Sequence, residues 1–91
     1  MVSDYDRAEV IADLADCRRE AARLKREAEF YKACRESWTV KAVAAQCAGD
    51  EEAAEIADAF GACCADEAQE LLDRRGMALN IIRLLEKELT K

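Results

Sequence analysis

The chain has no proline and no histidine, and only three of its 91 residues are glycine. Without proline, nothing removes a backbone donor from a helix interior. Without histidine, the Glu-x-x-His ligand pairs that hold metals in helical bundles cannot be built. Aromatic residues make up 5% of the chain, so a core of large rings is excluded. No apolar run approaches the ~20 residues that span a bilayer. The opening Met1-Val2-Ser3-Asp4-Tyr5-Asp6 lacks the basic-then-apolar order of a secretory signal. These features lead us to expect a soluble, cytoplasmic protein.

The five cysteines, at 17, 34, 47, 63 and 64, are odd in number and include no Cys-x-x-Cys pair. That pattern fits neither a zinc site nor a secreted disulfide framework. Four of them lie in helix-like sequence, where a reduced thiol acts as a small apolar filler. A nucleophilic thiol needs a positive field. Cys34 has Lys32 and Arg35 as neighbours and Cys17 precedes Arg18 and Arg19, but adjacent residues on a helix point about 100° apart.

What is abundant points to helix. Apolar residues make up 52% of the chain, but 19 of them are alanine. With Glu, Arg, Leu and Lys, alanine loses little freedom in a helix. In the first half, apolar residues recur at alternating steps of three and four: Leu14, Cys17, Ala21, Leu24, Ala28, Tyr31, then Trp38, Ala42 and Ala45, with Arg35 interrupting. This is a heptad seam. Val10 and Ile11 extend it, and Ser3 or Asp4 is placed to cap its start.

The strong break is Cys47-Ala48-Gly49-Asp50, where Gly49 suits a left-handed helix end and Asp50 the next N-cap. The second half repeats the pattern through Ala53, Ala57, Phe60, Cys64, Ala68, Leu71, Arg75, Ala78, Ile82, Leu85 and Leu89. Arg74-Arg75-Gly76 resembles a second helix end, yet no good N-cap follows. A continuous or kinked helix is therefore expected there over a clean break. The competing arrangement folds the last segment back at Gly76 into a three-helix monomer.

The expected fold is thus all-α: one domain over residues 1–91, with helix 1 at about 5–46, a turn at 47–50 and helix 2 at about 51–90. Two arms of about 60 Å, from a rise of about 1.5 Å per residue, joined by a short turn, make an antiparallel, coiled-coil-like hairpin. Folding back about position 48.5 pairs residues whose numbers sum to about 97. That register places Trp38 beside Phe60, Leu24 near Leu72, Leu14 near Ile82 and Cys34 opposite Cys63. Residues 18–41 hold eight bases against four acids, whereas 50–73 hold nine acids and no base. Opposite charge then flanks the seam.

A hairpin buries one stripe per helix, and the last segment has two. Met77, Ile81 and Leu84 lie about 100° from the seam; Val10 and Leu79 add to the surplus. These five are the expected interface of a homodimer packed as a four-helix bundle.

Net charge is −6, so neither nucleic acid nor an anionic membrane is an expected ligand. A helix-turn-helix across Gly49 would present Asp50, Glu51, Glu52, Glu55 and Asp58 to phosphates, which repel them. The same five acids form a candidate partner surface. The reading these features favour is a non-enzymatic protein–protein interaction module, an adaptor or regulator, with no cofactor and no metal. One alternative is a small acidic inhibitor that mimics nucleic acid and blocks a basic groove on its partner. A second is a helical-bundle enzyme that binds a small anion through Arg35 and Arg75, which sit at seam positions.

Overall fold

A computed structural model describes residues 6–91, and two helices account for nearly all of them: α1 (Arg7–Cys47) and α2 (Glu51–Leu89). There is no strand among the described residues. The helices run side by side in opposite directions as an extended hairpin of 71 × 16 × 14 Å.

The start of α1 is capped by Asp6, whose side chain accepts from the Ala8 N–H at 3.3 Å. Ser3 and Asp4, the caps expected from sequence, lie outside the described residues. At the tip, Gly49 takes φ +76, a left-handed conformation open to glycine without a Cβ penalty. The Gly49 N–H then donates to the Gln46 carbonyl at 3.0 Å, and the Asp50 N–H to the Ala45 carbonyl at 2.9 Å. This paired arrangement satisfies helix-end carbonyls that would otherwise lack partners. The Asp50 side chain meanwhile accepts from the Ala53 N–H at 3.0 Å. One residue therefore closes α1 and opens α2, which keeps the connection to three residues and forces the arms together.

α2 passes through Gly76 without interruption. The Arg-Arg-Gly sequence does not end it, because Leu79, Ile82 and Leu85 continue to pack on Leu14 and Ala21 of α1. That burial outweighs the ~1 kcal/mol helix penalty of one glycine.

The interface grades along its length. Toward the open end it holds Leu14, Leu24, Leu71 and Ile82, and toward the tip only Ala42, Ala54, Ala57 and Gly61. Small residues let the backbones approach closely: a Cβ on Gly61 would lie 3.6 Å from the Trp38 Cβ. Trp38 stacks on Phe60 with ring centroids 4.8 Å apart, Leu72 packs against Leu24, and Leu14 clusters with Ile82. These are the contacts that the fold-back about 48.5 requires.

Three seam assignments differ from the expected pattern. Phe60 stays 51% exposed, and its neighbour Gly61 takes the buried position. Arg35 is exposed, with Cys34 turned toward the seam instead. The field of Cys34 reaches Cys64, the residue after its expected partner Cys63, and all five thiols are free. In each case the seam shifts by one residue, and along α2 the shift to Gly61 gives Ala57, Gly61, Cys64 and Ala68 regular steps of four, three and four.

Candidate interaction surfaces

Two longitudinal faces flank the seam, and specific contacts identify them. Arg18 pairs with Glu86 across the hairpin at 3.0 Å. Each lies one position after a seam residue, Cys17 and Leu85. In an antiparallel pair, positions following the seam on both helices share one face and positions preceding it share the other. The field of Arg74 reaches Glu20, and both precede seam residues, as the second face requires.

The face that follows the seam holds a shallow groove of about 320 Å³ lined in part by Arg35, Thr39, Asp58 and Asp66. A second groove at the tip, of about 360 Å³, is lined by Gln46, Gly49, Glu51, Ala54, Glu55 and Asp58. All five tip acids are exposed. Asp50 spends its side chain on the helix cap. Glu51, Glu52, Glu55 and Asp58 form no ion pair among the described residues.

The face that precedes the seam carries the large apolar side chains of α2. Met77 is 67%, Ile81 48% and Leu84 62% exposed. Helical spacing puts Ile56 and Phe60 on this face as well, both about half exposed. A seam drawn through Phe60 conceals these two in the sequence pattern. The signal that finds them is the same three-and-four spacing, displaced by one residue. At this end of the hairpin Lys41 sits over the Trp38 ring, 4.3 Å from its centroid. The lysine and the ring are thereby held together by a cation–π attraction.

Val10 and Leu79 are not surplus surface. Val10 is 3% exposed, and Leu79 packs against the Leu14–Ala21–Ile82 cluster. Both are spent within the hairpin because the seam widens toward the open end. The apolar residues left outside there are Met77, Ile81 and Leu84, with Ile11 on the opposite face.

Charge pairing is mostly local. Arg23 bonds Glu20 and, at 2.6 Å, Glu27. The Arg23 hydrogen bond holds the Glu20 carboxyl below the usual carboxylate range, and the field of Arg74 adds to it. Arg19 pairs with Asp16, and Arg74 with Glu70 at 2.8 Å. Arg18–Glu86 is the ion pair that crosses between helices among the described residues. The basic and acidic arms therefore attract as fields rather than as a ladder of contacts, because long side chains reach partners on their own helix first.

Partial burial pushes the Cys64 thiol up, and Cys34 and Cys63 push it further. A thiol so placed is less ionised and a weaker nucleophile. Among the described residues no three His, Cys, Asp or Glu side chains are grouped to hold a metal ion, and no helix is long and apolar enough to cross a membrane. Compared with known proteins, the chain matches no protein-family model, no curated protein and no solved structure.

Proposed function

We propose that the protein is a non-enzymatic helical interaction module, an adaptor or regulator, that works as a homodimer packed as a four-helix bundle. The observation that carries this is the exposure of Met77, Ile81 and Leu84 on a hairpin that has no large, fully buried side chain. Burying one such residue contributes ~1.5–3 kcal/mol. A thin alanine seam leaves the isolated hairpin short of that contribution, and a second hairpin supplies it.

Light scattering on the full chain at micromolar concentration is expected to give twice the 10.1 kDa chain mass. Ile81→Glu with Leu84→Glu is expected to halve that mass while leaving the helical circular dichroism in place. A wild-type particle of 10.1 kDa would end the dimer reading.

The second reading is the acidic inhibitor, in which the tip mimics nucleic acid and enters a basic groove. Its support is that Glu51, Glu52, Glu55 and Asp58 are exposed with no ion-pair partner among the described residues. Acids at a helix N-terminus also serve the helix dipole, which explains the same residues without a partner. Glu51→Lys with Glu55→Lys separates the two. If partner binding and its salt dependence are unchanged, the tip is not the contact. The anion-binding enzyme is the weakest reading, since the groove beside Arg35 also carries Asp58 and Asp66, whose charge opposes an anion.

A further inference from the structure

The exposed stripe of α2 keeps a strict alternation of four and three from residue 56 to residue 84, parallel to the seam but one position before it. Ile56, Phe60 and Cys63, all exposed, form its first end. Glu67, Glu70 and Arg74 form its middle. Met77, Ile81 and Leu84 form the other end. The order apolar, charged, apolar is nearly the same read in either direction about residue 70.

We infer that two copies pair through this stripe with their α2 helices antiparallel, about a two-fold axis at Glu70. The inference rests on the homodimer reading and specifies its geometry. Under that axis, Ile56 meets Leu84 of the partner subunit and Phe60 meets Ile81 of the partner subunit. Cys63 then meets Met77 of the partner subunit. Arg74 faces Glu67 of the partner subunit, while each Glu70 keeps its own Arg74 at 2.8 Å. A parallel pairing sets Arg74 against Arg74 and Glu67 against Glu67, so like charges oppose it. The antiparallel arrangement covers both apolar ends at once, including the surface of Ile56 and Phe60 that remains about half exposed beside the Trp38 stack. A two-fold interface must be self-complementary in this way.

Covalent capture reads the axis directly. In a chain with all five cysteines replaced by alanine, Glu70→Cys is expected to link to its own copy on mild oxidation. Leu84→Cys alone is expected not to link, because the two copies of residue 84 lie at opposite ends. Mixing Ile56→Cys with Leu84→Cys is expected to restore the link. Linking at 84 alone with none at 70 overturns the antiparallel register but leaves the dimer standing; a wild-type particle of monomer mass removes both. Should the cysteine-free chain not fold, Arg74→Glu in the native chain serves the same purpose. It is expected to weaken dimerisation at least tenfold, with recovery on adding Glu67→Arg. A dimer indifferent to Arg74→Glu overturns the inference.

Discussion

Arg75 lies half-buried on α2 among the seam positions, and its Nε has no hydrogen-bond partner among the described residues. A partly desolvated guanidinium with an unmet donor costs free energy that an apolar side chain does not. Arg75→Leu is therefore expected to stabilise the hairpin by ~1 kcal/mol, since it joins the leucines at 71 and 72 to the cluster around Ile82. Thermal melting reads this as a rise of ~4–8 °C for a chain of this size; a fall would mean that the guanidinium has an energetically important role. The thiols show how burial sets chemistry at the same scale. Cys64 has its pKa raised, first by burial and then by Cys34 and Cys63, while Cys47 is exposed. Alkylation with iodoacetamide near neutral pH is expected to modify Cys47 well before Cys64, as followed by peptide mass mapping. A raised thiol pKa favours the folded state below the unfolded thiol's pKa. That contribution fades as pH climbs through the folded value.

Each helix owes its ends to single residues. Asp6 and Asp50 cap the starts, and Gly49 closes α1 in a conformation that costs ~1–2 kcal/mol for a residue with a Cβ. Gly49→Ala is accordingly expected to lower the urea midpoint by an amount equivalent to ~1 kcal/mol. Gly76→Ala has the opposite sign, because Gly76 lies inside α2 with nothing within 4 Å of an added Cβ. Alanine there is expected to add ~0.5–1 kcal/mol by restricting the unfolded chain and improving helix propensity. A destabilising Gly76→Ala would argue that the helix bends at that point in solution. The cap at Gly49-Asp50 was legible in the sequence because two residue types with specific backbone roles stand side by side. Continuity through Gly76 was less so, since Arg-Arg-Gly is a genuine stop signal that tertiary packing overrides.

The hairpin as a whole is long and thin. Its radius of gyration is 20.3 Å, against about 12 Å for a compact domain of this length. Small-angle scattering on Ile81→Glu with Leu84→Glu, the variant expected to be monomeric, should return a value near 20.3 Å. A value several ångströms smaller would instead signal the three-helix arrangement with α2 folded back at Gly76, in which the intact α1 still sets the length. Elongation also explains why so much apolar surface is exposed. A two-helix layer buries one stripe per helix whatever the composition, and α2 has two.

Local physics written in the sequence determined the helices, the turn, the antiparallel sense and the approximate register. Propensity, capping and a three-and-four repeat act between residues close in the chain. What only tertiary structure decided was which of two adjacent stripes faces inward at each level. A one-residue step rotates a side chain by about 100°, and apolar residues occupy both stripes along much of α2. The choice of Gly61 over Phe60, of Cys34 over Arg35, and the burial of Val10 and Leu79 each depend on how closely the facing helix approaches. That distance depends on side chains some 20 to 80 positions away in the chain, beyond the reach of any local pattern.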